Sequence, residues 1–204
     1  MRVLVVADEE DKRIYDYFKK ERVEGVELII SCGDLKPGYL DFLVSMVNVP
    51  LIYVHGNHDD ALLKNPPPGD CIEDTVYEFN GYRFFGLGGS MRYRKDSKCM
   101  YTETQMRLRA TKATPKIYMK RGIDVLVTHA PAKGYGDLED LPHHGFETFN
   151  YIMNRYRPSY MFHGHVHANY GRNIKIFQEH ESGTKIVNAF GYQILDLPDL
   201  SHIT

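Results

Sequence analysis

The chain alternates short apolar runs with polar turns. Val3–Ala7, Glu27–Ser31, Leu51–Val54, Asp124–Val127 and Ser159–Phe162 are each nearly continuously apolar and rich in β-branched or aromatic residues. Runs of this kind predict strands covered on both faces, as α/β folds bury them. Arg13–Lys20 sets Ile14, Tyr17 and Phe18 at helical spacing, and Tyr39–Val47 sets Leu40, Leu43, Val44 and Val47 on one face. Both patterns predict helices laid on a sheet.

A second texture is antiparallel. Thr75–Phe79 and Tyr82–Phe85 flank Asn80-Gly81, a pair suited to the type I′ turn of a hairpin. Ile174–Gln178 and Lys185–Ala189, separated by Glu181-Ser182-Gly183, predict a second hairpin near the C-terminus. Thr102 to Gln105 matches a helix capping box, and the helix it opens is expected to break at Pro115. That segment carries Arg107, Arg109, Lys112, Lys116, Lys120 and Arg121, either as a solvated face or as a basic rim that attracts a phosphorylated substrate.

The 204 residues contain no repeat and no linker that would split them, so one domain over residues 1–204 is expected. A formal net charge of −2 gives no global bias toward nucleic acid or an anionic membrane. No apolar run approaches the ~20 residues of a membrane span, and no signal peptide is visible. Cys32, Cys71 and Cys99 have no paired spacing and suit free thiols, so a reducing cytoplasmic location is expected.

Histidine changes the picture, because eight of ten lie between His55 and His167. The predicted strands end in Asp8, in Gly33-Asp34, in His55-Gly56-Asn57-His58-Asp59, in Thr128-His129 and in His163-Gly164-His165-Val166-His167. Ligands of open α/β sheets bind beyond the carboxyl ends of the strands. Carboxylates gathered there would repel one another unless a cation neutralised them. A set of oxygens and imidazoles without thiolate suits Mn, Fe, Zn or Ni, and so many ligands suit two ions sharing a carboxylate.

These five strand-end motifs, in this order from Asp8 to His167, resemble those of the calcineurin-like metallophosphoesterases, with a weaker likeness to the branch holding proposed cyclic-nucleotide phosphodiesterases. The resemblance implies two mixed β-sheets packed as a sandwich and flanked by helices, a four-layer α/β fold, here with the C-terminal hairpin. It implies two divalent ions, Mn2+ foremost and Fe, Zn, Ni or Mg as alternatives. Asp8, Asp34 and His167 would hold one; Asp34, Asn57, His129 and His165 would hold the other. It implies hydrolysis of a small phosphate ester, a phosphodiester by preference, by in-line attack of a hydroxide bridging the ions. His58 would assist the leaving group, with Asp59 orienting its ring.

One position departs from the family pattern. Its first motif is Asp-x-His, and here Glu10 stands in the histidine's place. Glu10 is either an acidic first-turn residue or a substitute ligand that hardens the site toward Mn2+ or Mg2+. The departure also keeps open a protein-interaction scaffold on the same fold, and the basic stretch Arg92–Arg121 keeps open a nuclease, with nucleic acid a less favoured partner. Of the other histidines, His55 and His163 are expected to pack behind the strand ends, His143 and His144 to lie in a loop near the site, and His180 and His202 to lie at the surface. Tyr170 could line the pocket. The loops Leu35–Gly38, Ser90–Met100 and Pro131–Gly145 are expected to select the substrate.

Overall fold

The computed structural model describes residues 1–167 and 174–198, so Tyr170 and His202 lie outside the described residues. The first half runs β1 (Arg2–Ala7), β2 (Leu28–Ser31), α1 (Pro37–Val47), β3 (Leu51–Tyr53), β4 (Asp70–Cys71) and a hairpin of β5 (Val76–Phe79) and β6 (Tyr82–Leu87). Two short strands follow, β7 (Ser90–Met91) and β8 (Met100–Tyr101), then α2 (Glu103–Met119) and β9 (Val125–Thr128). The chain ends with α3 (Glu147–Tyr156), β10 (Tyr160–His163), β11 (Phe177–Glu179), β12 (Lys185–Asn188) and β13 (Gly191–Asp196).

The strands form two mixed sheets. One has the order β13-β1-β2-β3-β4, parallel except where β13 runs against β1; the other has the order β11-β12-β10-β9-β6-β5, with antiparallel pairs at both edges. Strand alternation explains why they stack. Val3, Val5, Leu28, Ile30 and Ile52 point from the first sheet into one core with Phe84, Val125, Val127 and Phe162 from the second. Leu4, Val6, Ile29 and Leu51 point the other way, onto Leu40 and Leu43 of α1 and onto Ile14. On the far side Phe85, Leu126 and Met161 pack on Met106 and Ile117 of α2 and Phe149 and Met153 of α3. The result is four layers around two sheets whose β1, β2, β3, β9 and β10 all end at one side.

Several expectations are corrected. Arg13–Lys20 is a run of turns followed by a 3-10 turn at Lys20–Val23, not a helix. Ile14 is fully buried but Tyr17 is exposed, so one anchor suffices and Asp11, paired with Arg13, turns the chain. Helix α2 has the capping box but runs through Pro115. The proline ring and the Thr111 turn it faces are both exposed, so water can satisfy the carbonyl left without a donor. The C-terminal hairpin starts at Phe177 rather than Ile174, and β13 after it crosses to β1 of the other sheet. His180 is buried against Tyr135 and holds Ser182, rather than lying at the surface. No helix among the described residues is long and apolar enough to cross a membrane.

Candidate metal centre

Three of the strand-end side chains are aimed by backbone that L-residues seldom adopt. Asp8, Asp34 and His165 have φ of 63°, 58° and 68°. Left-handed backbone costs such residues about 1–2 kcal/mol each and persists where the surroundings over-determine it. Here carboxylates do so. Asp59 Oδ2 accepts the backbone N–H groups of Asp34 (2.8 Å) and Gly56 (2.7 Å), Asp34 Oδ1 accepts that of His58 (2.8 Å), and Asp8 Oδ2 accepts that of His165 (2.8 Å). The motif loops thus hold one another through the side chains they present. Glycine is required where they touch: a Cβ on Gly164 would lie 2.5 Å from both Ala7 Cβ and Asp8 Oδ2.

The polar ends converge. His129 Nε2 lies 3.3 Å from Asp34 Oδ2 and 2.9 Å from Asn57 Oδ1. Donor atoms of Asp34, His129 and His165 all fall within 4.8 Å of one another. His167 Nε2 is 3.9 Å from Asp8 Oδ1. Each central imidazole is oriented by a carbonyl, which can only accept. His129 Nδ1–H donates to Cys32 O (2.8 Å), leaving Nε2 for the cluster. His165 Nε2–H donates to Pro142 O (2.7 Å), leaving Nδ1. Metal-ligating histidines are commonly fixed this way.

Electrostatics shows what the cluster lacks. Burial pushes the Asp8 carboxyl up to about 7, with His129 opposing the rise and Asp34 adding to it. Burial alone would raise the Asp34 carboxyl, but the neighbouring His129 imidazole brings it below the usual range. His129 is held above its ordinary value by Asp34 against the effect of burial. Burial and the His129 charge bring His165 down to about 3, so it is neutral and able to ligate. Asp8 Oδ1 is buried without a hydrogen-bond partner among the described residues. Such an oxygen is costly unless a cation or water meets it.

These groups open onto a cavity of about 560 Å³. His58 and Asp59 enter it from the β3 end, Lys36 and Pro37 from the start of α1, Tyr93 from the β7–β8 loop, and Pro142 and His143 from the loop before α3.

The family model for calcineurin-like phosphoesterases matches residues 1–169. The chain belongs to this family. One solved structure with a TM-score of 0.68 and 17% identity covers 96% of this chain and 94% of its own. The protein TT1561 of Thermus thermophilus follows with a TM-score of 0.60, 14% identity and coverage of 93% and 88%. GAP50, the anchor in the inner membrane complex of Plasmodium, has a TM-score of 0.55, 12% identity and coverage of 92% and 70%. These likenesses show the shared fold. A 52-residue stretch is 40% identical to UPF0046 protein T07D4.2 of Caenorhabditis elegans, spanning 24% of this chain and 13% of that protein.

Set beside the family's motifs, Asp8, Asp34, Asn57, His129, His165 and His167 are brought together, and Glu10 is not. Its carboxylate pairs with Lys36 Nζ at 3.2 Å and does not line the cavity. Asp59 holds backbone rather than orienting the His58 ring, because the left-handed Asp34 needs its N–H satisfied. His55 and His163 are buried behind the motif glycines, His55 on Glu73 at 3.1 Å.

The calcineurin-like frame also takes up part of the basic segment. Arg109 is paired with Glu73 and Asp74, Lys116 with Asp74 O and Lys120 with Glu78, so these cations do not form a rim around the cavity. Lys36 and Tyr93 fall in two of the loops expected to select the substrate, though nothing local singles out either of them or Asp60.

Proposed function

We propose that the chain hydrolyses phosphate esters, phosphodiesters by preference, with two divalent cations, Mn2+ foremost, on a mixed set of carboxylate, amide and imidazole donors that Mn, Fe, Zn and Ni all accept. The observation that carries this is the buried Asp8 Oδ1, which accepts no hydrogen bond among the described residues, beside a carboxylate–imidazole cluster, all at strand ends that open on one cavity. The residues present fit the cations. Asp8, Asp34 and His167 would hold one, and Asp34, Asn57, His129 and His165 the other. Divalent cations in such a site neutralise phosphoryl oxygens and lower the pKa of a water.

The chain's own groups supply the rest. Cys32 O and Pro142 O fix the ring orientations of His129 and His165, so that His165 Nδ1 and, once a cation displaces its proton, His129 Nε2 face inward. His58 is exposed at the cavity wall, its backbone tied to Asp34 Oδ1, and would hand a proton to the departing ester oxygen. Lys36, which lines the same cavity, adds positive charge toward an anionic ester, shared with Glu10.

The nuclease alternative loses support because Arg109, Lys116 and Lys120 are taken up by partners within the chain. The scaffold alternative draws on GAP50, an anchor with the same fold; the inward-aimed ligand set, which anchoring does not need, favours chemistry.

The test is hydrolysis of a chromogenic phosphodiester by the purified chain with added Mn2+. Asp34→Ala should abolish it, and His58→Ala should lower kcat by about 10²–10⁴-fold. Undiminished turnover by Asp34→Ala refutes the proposal.

A further inference from the structure

Asn57 has two ends that chemistry does not treat alike. Its amide oxygen can hold a cation and its amide nitrogen cannot. The side chain is buried, so which end faces the cluster depends on its partners. Oδ1 lies 2.9 Å from His129 Nε2, inside the cluster. Nδ2 lies 3.4 Å from the phenol oxygen of Tyr93, which accepts from it.

Tyr93 is itself held. It sits between β7 and β8, which pair Ser90 with Met100 and Met91 with Tyr101. Arg92 Nη2 donates to Met100 O at 2.8 Å. Asp60 Oδ1 accepts the N–H groups of Lys98 (2.9 Å) and Cys99 (3.0 Å) and the Ser97 hydroxyl (3.3 Å). Asp60 belongs to the same turn as Asn57. The turn therefore grips the loop through Asp60, and the loop returns the phenol to Asn57.

We infer that Tyr93 is a positioning residue: its hydroxyl holds the Asn57 amide with the oxygen inward, and Asp60 holds Tyr93 in place. The inference rests on the two-cation reading above and adds a residue that the family's strand-end motifs do not contain. A flipped amide would turn an N–H group, useless as a ligand, toward His129 and the cation.

Calorimetric titration of the metal-free chain with MnCl2 tests this without reference to turnover, and the visible absorption of the Co(II)-loaded chain reports the ligand set. Tyr93→Phe should weaken one of the two cations by about tenfold, the lower end of what lost outer partners cost a metal site. It should also change the Co(II) spectrum as Asn57→Ala does. Because the hydroxyl acts through the amide, Tyr93→Phe added to Asn57→Ala should weaken binding no further. Asp60→Ala, which frees the loop, should reproduce the effect of Tyr93→Phe in part. Wild-type affinity for both cations in Tyr93→Phe overturns the inference, as does equal weakening with and without Asn57. A wild-type chain that takes up no Mn2+ overturns the two-cation reading itself; one that takes up two, with Tyr93→Phe unaffected, overturns the inference alone.

Discussion

Gly56→Ala is a small change at the point where two motif loops meet. A Cβ at this position would lie 2.6 Å from the Asp34 backbone nitrogen, and the Asp34 carboxylate is nearer still. A backbone atom cannot swing aside like a flexible side chain, so the β2 and β3 loops must part. Overpacking of this kind costs about 1–3 kcal/mol. Parting also strains the bond from the His58 N–H to Asp34 Oδ1 and the two that Asp59 makes to Asp34 and Gly56. Losing one hydrogen bond to a charged acceptor costs about 1.5–3 kcal/mol. The sum, about 2.5–6 kcal/mol, is a large share of an ordinary folding free energy of roughly 5–15 kcal/mol. For a chain of this size it corresponds to a fall in Tm of about 5–24 °C. Thermal unfolding followed by circular dichroism measures it, with Gly38→Ala as control. Gly38 lies in the first turn of α1 with nothing within 4 Å of a Cβ, so its substitution should be neutral or stabilising. Mn2+ titration of the same samples should show Gly56→Ala binding more weakly, since Asp34 is displaced. A Gly56→Ala chain that melts with the wild type and binds Mn2+ equally would show that the loops do not depend on this close approach.

Two further outcomes follow from side-chain placement. Glu10→Ala should leave Mn2+ affinity within about twofold and cost no more than about 1 kcal/mol, because this carboxylate meets Lys36 in a partly exposed pair; a large loss of affinity in calorimetry would make Glu10 a ligand after all. The Glu73 carboxyl is subject to burial, which would raise it, but the His55 bond and the Arg109 charge bring it below its usual value of 4.5. A carboxyl lowered on folding contributes stability that is present in full above 4.5 and is lost as pH falls through the lower folded value. Glu73→Gln should therefore cost roughly 3 kcal/mol at neutral pH, the low end for breaking a buried pair, and the gap to wild type should close on acidification below 4.5; a gap constant from about pH 7 to about pH 3 would contradict it.

Much of the candidate site was legible because its residues sit at strand ends, and strand ends can be found from local pattern. Apolar runs mark β1, β2, β3, β9 and β10, and the residue that follows each run is fixed by the chain itself. The pattern set Asp8, Asp34, the stretch His55–Asp59, His129 and the stretch His163–His167 at strand ends, and the family resemblance picked Asp8, Asp34, Asn57, His129, His165 and His167 from among them. The glycines of the motifs were visible too, though not their cause, which is contact between Gly56 and the Asp34 loop and between Gly164 and Asp8. The α1 face and the Asn80-Gly81 hairpin likewise follow from spacings within one segment.

Local pattern thus reached the main strands, α1 and the first hairpin, and the kind of chemistry at the strand ends. The tertiary structure alone decided which partner each polar group meets. Glu10 reads equally as a first-turn acid or as a ligand beside Asp8, and only the fold shows its carboxylate meeting Lys36. Asp59 looks like a partner for His58 until the left-handed Asp34 needs its N–H satisfied. The basic face of α2 looks like a rim until Glu73 and Asp74 neutralise Arg109. Tyr93 and Asp60 acquire meaning only when the β7–β8 loop folds back on the turn after β3. The physical reason is range. Periodicity and turn chemistry act over a few residues, whereas a buried charge or amide takes whatever partner packing brings to it, and that partner can lie anywhere along the chain.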